Sequence, residues 1–287
     1  MKKMNILIAG GDTRQLFCAA RLAHEYSIGI IGFDSEYLPE GISLPSVDIS
    51  QAGRYDCAVL PVPPINDNGD ILAPCSSRSI PTDMISMLLK DDGCILAGKV
   101  SDELRDAFPD REIMDYMLRE ELSLRNSVPT AEGAVQIALE ELPVTLSGLD
   151  VLIVGLGRIG MALAEILKGF GANVTAAVHN PRGAAKAKLC SISSIPTRRI
   201  NGGYHLVFNT VPHLIFDKDI LSRFSNETLF IDLASKPGGI DFDAAASLGI
   251  RAVWALGLPG RTAPVTAGEI IAETVSTMLA ERSEAHE

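Results

Sequence analysis

The most restrictive feature of this chain is the segment Gly155-Leu156-Gly157-Arg158-Ile159-Gly160, whose glycines have GxGxxG spacing. The apolar run Val151-Leu152-Ile153-Val154 precedes it, and a helical pattern begins after it at Met161. Strand, glycine turn and helix in this order predict a dinucleotide-binding unit. The glycines permit the turn, the approach of a pyrophosphate and close helix packing, while the helix N-terminus offers N–H groups to phosphates. The alternative is a glycine-rich packing turn without a ligand.

Strand and helix patterns alternate along all 287 residues, which is typical of parallel α/β domains. We predict an α/β fold with two doubly wound parallel-sheet domains, the second a Rossmann dinucleotide-binding domain, linked by a bridging helix and a returning C-terminal helix. The expected boundaries are 1–128 for a substrate and catalytic domain, 129–146 for the bridge, 147–264 for the Rossmann domain, and 265–287 for a helix that packs back on the first domain. The active site is expected in the cleft between the domains.

Apolar runs and turn residues set the expected elements. Strands are expected at residues 4–9, 28–33, 57–60, 94–97, 149–154, 173–178, 205–209, 228–233 and 250–255, and helices at 13–26, 82–89 and 267–281. The segment Asn126-Ser127-Val128-Pro129 interrupts the pattern. Thr130 therefore predicts the N-cap of a bridging helix over residues 131–142.

Composition excludes several classes of protein. The net charge of −11 argues against binding to nucleic acid or to an anionic membrane. No segment approaches the roughly 20 apolar residues of a membrane span, and the N-terminal apolar run is short for a signal peptide, so we expect a cytoplasmic protein. The five cysteines include no CxxC pair and are expected to be buried free thiols, and no metal site is predicted. Cys75, in the polar loop 73–78, is the one cysteine for which another role is considered.

The loop after the second Rossmann strand bears on the choice of cofactor. NAD-binding units usually carry an acid about 20 residues after the first glycine, on the ribose 2′-hydroxyl. Val178 stands near that position, followed by His179, Asn180 and Arg182, which are able to donate hydrogen bonds to a 2′-phosphate. We therefore predict NADP, with NAD retained as an alternative. The competing interpretation is a solvated loop without a phosphate contact.

Further cofactor contacts are expected where later strands end. These residues are Asn209, Thr210, Val211 and Pro212; Asp232, Leu233 and Ala234; and Gly257 and Pro259. Asp232 is either a carboxylate that fixes its loop or a residue of the site.

A hydroxy-acid dehydrogenase would also need a His–acid pair near the nicotinamide. His213 has no evident Glu partner, so the pattern indicates a dehydrogenase scaffold with different catalytic groups.

A second glycine turn, Gly10-Gly11-Asp12-Thr13-Arg14-Gln15, joins the first strand to the first helix but lacks GxGxxG spacing. A small carboxylate held by helix N–H groups and Arg14 is one interpretation. An ordinary turn capped by Asp12 or Thr13 is the other. Lys99, after another strand, is a second cation for a carboxylate, although such lysines are commonly solvated.

Taken in order, several stretches resemble the family of dipicolinate synthase A subunits from spore-forming bacteria. They are Gly10-Gly11-Asp12-Thr13-Arg14-Gln15-Leu16, Asn126-Ser127-Val128-Pro129-Thr130-Ala131-Glu132-Gly133, Gly155-Leu156-Gly157-Arg158-Ile159-Gly160-Met161, Asp232-Leu233-Ala234-Ser235-Lys236-Pro237-Gly238-Gly239 and Gly257-Leu258-Pro259-Gly260. The nucleotide half alone is also similar to 2-hydroxyacid dehydrogenases and adenosylhomocysteinase. The family often has an arginine where this chain has His179, and Arg182 is expected to substitute.

The resemblance implies oxidation of a dihydrodipicolinate-type intermediate to pyridine-2,6-dicarboxylate in the mother cell of a sporulating bacterium, where the partner is the flavoprotein B subunit. Arg14, Lys99 and Arg261 are the expected partners of the two substrate carboxylates. Other expected substrate contacts are Gly10, Gly11, Asp12, Ser127 and Thr130. The possible proton acceptors are Asp12, Glu132, His213 and Lys236. A homo-oligomer is expected. The alternatives are a dehydrogenase of another small acid and a non-catalytic subunit that binds NADP.

Overall fold

The computed structural model of the protein describes residues 3–48, 50 and 52–286, without the side chain of His286. The chain divides into two compact units, the first made of Met1–Asn126 with Ala263–Glu287, and the second of Ser127–Thr262. Each unit is built on one parallel sheet. Within the described ranges, no helix has the length and apolar character needed to cross a membrane.

The first unit contains a five-stranded sheet in the order β2-β1-β3-β4-β5. Its strands are β1 (Asn5–Ala9), β2 (Ser27–Ile31), β3 (Tyr55–Val59), β4 (Leu89–Ala97) and β5 (Ile113–Asp115), and its helices include α1 (Thr13–Leu22), α2 (Thr82–Leu88) and α3 (Asp102–Ala107). Ile6, Leu7 and Ile8 of β1 are fully buried, because both faces of the sheet are covered. The strand order reverses between β1 and β3, where ligands bind in folds of this type.

A returning helix, α10 (Pro264–His286), covers one face of the first sheet. Ile271 and Val275 of α10 pack in one cluster with Ile8 of β1. Gly268 permits the close approach, since a Cβ there would lie 2.5 Å from the carbonyl oxygen of Arg14. The returning C-terminal helix that the sequence predicts is therefore part of this fold.

The second unit contains a six-stranded sheet in the order β11-β10-β9-β6-β7-β8. Its strands are β6 (Asp150–Val154), β7 (Asn173–Val178), β8 (Ser193–Pro196), β9 (Leu206–Asn209), β10 (Leu229–Asp232) and β11 (Arg251–Trp254), and its helices are α5 (Arg158–Gly169), α6 (Pro181–Leu189), α7 (Lys218–Leu221), α8 (Phe242–Ser247) and α9 (Leu258–Thr262). The sheet extends from β6 in both directions, through β7 on one side and β9 on the other, which is the doubly wound Rossmann arrangement. The predicted fold class is confirmed, although β8 was not predicted from the sequence pattern.

The helix α4 (Glu120–Glu141) corrects one prediction. Thr130 is not an N-cap, because the helix begins ten residues earlier and runs through Pro129. A proline inside a helix loses one hydrogen bond and costs roughly 3 kcal/mol. Burial offsets this cost, since Leu122, before the proline, and Ala131 and Ala138, after it, are all fully buried. Core packing, which local sequence does not reveal, therefore decides where this helix begins.

The five cysteines are free and buried, including Cys75, so the prediction of buried thiols is confirmed. Burial, with a smaller contribution from the charge of Asp12, raises the pKa of the Cys75 thiol. Burial likewise raises the pKa of Cys18. Because the thiolate is the reactive form, these two side chains are inert packing groups.

Candidate dinucleotide site

The turn between β6 and α5 has the shape of a pyrophosphate cradle. Gly155 has φ +88°, and a Cβ there would lie 2.6 Å from Thr210 Oγ1. A Cβ on Gly160 would lie 2.1 Å from the carbonyl oxygen of Gly155, so the helix and turn approach closely. A Cβ on Gly157 would meet no described atom within 4 Å beyond its chain neighbours. The space beside Gly157 therefore fits a phosphate group, whereas the space beside the other two glycines is filled by the protein.

The N-terminus of α5 has no side-chain cap. Its N-cap residue is Gly157, whereas Asp12 caps α1 and Asn180 caps α6 through side-chain oxygens. The first-turn N–H groups of a helix lack intrahelical acceptors and form a common anion site, and at α5 no N-cap side chain accepts from them. Dinucleotide binding is thus the interpretation of this turn that the structure favours over simple packing.

Two side chains hold the turn in place from neighbouring elements. Thr210, directly after β9, donates its hydroxyl to the carbonyl oxygens of Val154 and Gly155, at 3.0 and 3.1 Å. Lys186 of α6 donates Nζ to the carbonyl oxygen of Leu156 at 3.2 Å. Thr210 was expected to line the cofactor, and the structure gives it this supporting role. Lys186 was missed, because the spacing along α6 does not reveal that it reaches the turn.

The loop after β7 presents polar groups beside a buried Val178. Asn180 Oδ1 accepts a hydrogen bond from the Gly183 N–H at 2.9 Å, and its Nδ2 lies 2.9 Å from Nε2 of His179. Arg182 is exposed, and its guanidinium has no hydrogen bond or ion pair within the described residues. Asn180 is thus a helix cap as well as a candidate contact, and Arg182 offers this loop an exposed cation.

The ends of β9 and β10 are joined by a buried polar network. Asn209 donates Nδ2 to Asp232 Oδ1 at 2.8 Å and to the carbonyl oxygen of Val211 at 3.0 Å. The Asp232 carboxylate also accepts from the Ala234 and Gly239 N–H groups, at 3.0 and 2.7 Å. Of the two roles considered for Asp232, the structure supports that of a carboxylate that fixes its loop.

Burial separates supporting residues from those able to touch a ligand. Asn209 and Asp232 are fully buried, and Leu233 and Ala234 are also buried, so these four predicted contacts act as scaffold. The accessible members of the predicted set are all at the carboxyl edge of the sheet. They are Gly157, Arg158, His179, Asn180, Arg182, Pro212 and Gly257, with Gly155, Ile159, Thr210, Val211 and Pro259 partly exposed.

The predicted proton acceptors of this unit do not form one group. His213, after β9, and Lys236, after β10, are exposed at the same edge as the glycine turn. Glu132 instead borders an apolar groove with Ile166 and Phe170, at the opposite end of α5 from that turn. Eight residues of helix span about 12 Å, so Glu132 is remote from the predicted phosphate position. Arg261 is exposed on α9.

In the first unit, the glycine turn is occupied by the protein itself. The Gly11 N–H donates to the carbonyl oxygen of Leu72 at 2.7 Å. A Cβ on Gly10, whose φ is +65°, would lie 2.7 Å from the same oxygen. The backbone of the loop near Leu72 therefore fills the place that corresponds to the predicted phosphate position of the second unit.

Arg14 is paired within its own turn. Asp12 Oδ1 accepts from the Arg14 N–H at 3.0 Å and from Nε at 2.8 Å, and Oδ2 accepts from Nη2 at 2.8 Å. Burial alone would lower the pKa of Arg14, but the hydrogen bonds and charge of Asp12 outweigh it and raise that pKa. The interpretation of this turn as capped by Asp12 is confirmed. Arg14, which was expected to bind a substrate carboxylate, is therefore already paired with a carboxylate of the protein itself.

Gln15 is a buried residue that the sequence analysis did not single out. Its Nε2 donates to the carbonyl oxygen of Leu60 at 3.2 Å, while Oε1 has no partner among the residues described. Gln15 lines a cavity of about 30 Å³ with Asp12, Arg14 and Pro61, beside the point where the strand order reverses. This volume suits one or two water molecules and is too small for a pyridine dicarboxylate.

The remaining predicted contacts lie on helices or at strand ends. Lys99 follows β4 with φ +60°, an unfavourable conformation for a residue with a side chain, and its N–H donates to Asp115 Oδ1 at 3.2 Å. Its amine is exposed. Ser127 and Thr130 both lie inside α4, with Ser127 buried. Of these three, only Lys99 offers an exposed cation.

Comparisons with known proteins agree with this division of the chain. Residues 5–117 match the N-terminal domain of the dipicolinate synthase A subunit, and residues 122–237 match the D-isomer specific 2-hydroxyacid dehydrogenase, NAD binding domain. The dipicolinate synthase A subunit of Bacillus subtilis (strain 168) is 30% identical over 97% of this chain and 96% of its own length.

Solved structures give the same result. The crystal structure of dipicolinate synthase, A chain, from Bacillus subtilis has a TM-score of 0.87 at 30% identity, covering 100% of this chain and 99% of that one. The A subunit of dipicolinate synthase from Bacillus halodurans has a TM-score of 0.86 at 30% identity, covering 97% and 98%.

The glycine cradle, the Rossmann sheet and the match to an NAD-binding domain define an NAD(P)-dependent oxidoreductase that uses a nicotinamide dinucleotide. The agreement with known proteins extends over both units rather than over the nucleotide half alone. The chain belongs to the family of dipicolinate synthase A subunits.

Proposed function

We propose that this protein uses NADP to oxidise a dihydrodipicolinate-type intermediate to pyridine-2,6-dicarboxylate, together with the flavoprotein B subunit. The observation that carries the proposal is the open face of Gly157, in a chain whose full length resembles dipicolinate synthase A subunits. An enzyme of this kind would act in the cytoplasm of the mother cell of a sporulating bacterium, as a homo-oligomer.

The preference for NADP depends on the loop after β7. No carboxylate stands at Val178 to repel a 2′-phosphate, and Arg182 is an exposed cation without a partner among the described residues. His179 and Asn180 add hydrogen-bonding groups beside it. NAD lacks the 2′-phosphate, so these residues give it no equivalent advantage.

The chemistry that the cofactor supplies when bound is acceptance of a hydride. The substrate loses a hydride and a proton, and the gain of aromaticity makes this oxidation favourable, so orientation matters more than a strong base. His213, exposed at the carboxyl edge of the second sheet, is the proposed group for receiving the proton, since a lysine ammonium has no acceptor site. Lys99 and Arg261 are the proposed partners of substrate carboxylates, because neither the amine nor the guanidinium is paired within the described chain.

The test uses the purified chain with NADP⁺ and freshly generated dihydrodipicolinate, with and without the flavoprotein. Formation of NADPH together with the ultraviolet spectrum of dipicolinate is the expected result. The Gly157→Ala variant should abolish both signals, while Gly169→Ala, which also adds a methyl group in open space on the same helix, should retain them. An absence of product even with the flavoprotein would exclude this proposal.

A second candidate function is that of a non-catalytic NADP-binding subunit that positions or regulates the flavoprotein. The pairing of Arg14 with Asp12 favours it, since this removes one expected substrate cation from the first unit. In that case the flavoprotein alone would retain the chemistry, and Gly157→Ala would impair assembly or regulation. Comparing product formation by the flavoprotein with and without this chain distinguishes the two functions.

A further inference from the structure

The first unit has a large pocket at the carboxyl end of β2, separate from the small cavity beside Gln15. Its volume is about 550 Å³, within the range of small-molecule sites. One wall follows β2 through Phe33 and Asp34, a second is the segment from Ser46 to Asp48, and a third contains Arg78 and Met84. We propose that this pocket binds a ribonucleoside monophosphate of the adenosine type.

The pocket lies at the end of β2, where a dinucleotide-binding unit places its ribose. In a dinucleotide-binding unit, an acid about 20 residues after the glycine turn accepts hydrogen bonds from the ribose. Asp34 follows β2 at the corresponding place after Gly10-Gly11. Its Oδ2 accepts from the Ser77 N–H at 2.8 Å, and Oδ1 has no partner in the part of the chain that the structure describes. One carboxylate oxygen is thus fixed and the other is available to a sugar hydroxyl.

The lining provides surfaces for the other two parts of such a ligand. Ile31, Phe33, Val47, Ile80 and Met84 form apolar walls able to pack against a base. Arg78 is exposed, and its guanidinium is unpaired within the described residues, so it is able to meet one phosphate.

The same features exclude other ligands. A dinucleotide needs the glycine turn for its pyrophosphate, but the Leu72 carbonyl oxygen already accepts from the Gly11 N–H. A pyridine dicarboxylate has two separate carboxylates that each need a cation, whereas Arg78 is the one cation among the described lining residues. A nucleoside with a single phosphate uses the acid, the apolar walls and the Arg78 cation together.

The test is a calorimetric titration of AMP and of adenosine into the full chain saturated with NADP, so that the second unit is filled. We expect one further equivalent of AMP to bind. Arg78→Ala should weaken AMP binding about tenfold and leave adenosine unaffected, and Asp34→Asn should weaken both about tenfold. Arg105→Ala, an exposed arginine of the same unit outside the pocket, is the matched control.

The titration is repeated with Gly157→Ala in the absence of NADP. Binding of AMP to the first unit is then measured independently of whether the second unit binds NADP. No binding of AMP or adenosine at millimolar concentration in either form would overturn the nucleotide site. Binding that is unchanged by both Arg78→Ala and Asp34→Asn would place the ligand elsewhere and overturn it equally.

Discussion

Asn209 Nδ2 lies 2.8 Å from Oδ1 of Asp232, so the ends of β9 and β10 are joined through a buried carboxylate. Both side chains are fully buried. Because Asp232 also accepts from two backbone N–H groups, its removal leaves those two buried donors without an acceptor and leaves Asn209 Nδ2 with only the Val211 carbonyl oxygen. The loops that flank the predicted cofactor position therefore depend on this pair.

Asp232→Ala should lower the free energy of unfolding by about 3 kcal/mol, because unsatisfied buried donors are costly. Urea denaturation of the full chain measures this loss. Asp219→Ala, at an exposed position of α7, should change stability by less than about 0.5 kcal/mol. Equal stability of the two variants would contradict a structural role for Asp232.

Gly157→Ala should weaken NADP binding at least about tenfold, because its methyl group would occupy the space assigned to the pyrophosphate. Its stability should fall by less than about 1 kcal/mol, since the residue caps α5 without a side-chain contact. Isothermal titration calorimetry with Gly169→Ala as control separates the two effects. Unchanged NADP affinity would show that the phosphates do not approach this turn.

Gly160→Ala should have the opposite profile. Its Cβ would lie 2.1 Å from a backbone oxygen, so α5 must move away from the turn at a cost of about 2 kcal/mol. A lower unfolding midpoint in urea, without added ligand, is the expected result. A midpoint equal to that of the unsubstituted chain would mean that the turn and helix are less tightly packed than described.

Arg182→Ala should lower NADP affinity about tenfold and leave NAD affinity unchanged, because only NADP carries the 2′-phosphate. Lys188→Ala removes an exposed cation farther along the same helix and serves as control. Titration of both nucleotides into each variant gives the ratio of affinities. Full retention of NADP affinity in Arg182→Ala would refute the assignment of this loop.

The ion pair between Arg119 and Glu281 predicts a pH-dependent contribution to stability in the first unit. Hydrogen bonding to Arg119, aided by the charge of Arg119, lowers the pKa of Glu281 below its ordinary value of 4.5 despite an opposing effect of desolvation. The stabilisation is therefore complete above that value and is lost as the pH falls through the lowered pKa.

Glu281→Gln should accordingly reduce the difference in melting temperature between about pH 6 and about pH 3, relative to the unsubstituted chain. Differential scanning calorimetry at a series of pH values measures it. Glu284→Gln, on the same helix and without an ion pair among the described residues, should leave the difference unchanged. An equal effect of both substitutions would point to overall charge rather than to the pair.

Periodicity and turn residues were sufficient to predict the two parallel sheets and the strand–turn–helix unit around Gly157. They failed at α4. Pro129 predicted that the helix begins after it, but core packing keeps the residues before the proline helical as well. They also missed β8, whose residues are exposed or only partly buried and lack an apolar run.

For the site, sequence identified the accessible residues of the glycine turn but did not resolve the roles of charged groups. The pairing of Arg14 with Asp12 and the burial of Asp232 both depend on side-chain geometry. Neither is visible in spacing alone, because an arginine beside a helix N-terminus or an acid at a strand end occurs in binding and structural roles alike. The remote position of Glu132 likewise depends on which face of α4 meets α5.

The hydrogen bond from the Gly11 N–H to the Leu72 carbonyl oxygen has a consequence for stoichiometry. The chain contains two sheets with a glycine turn at the end of a central strand, but its own backbone occupies one of those turns. A titration with NADP should therefore reach its end point at one molar equivalent per chain rather than two.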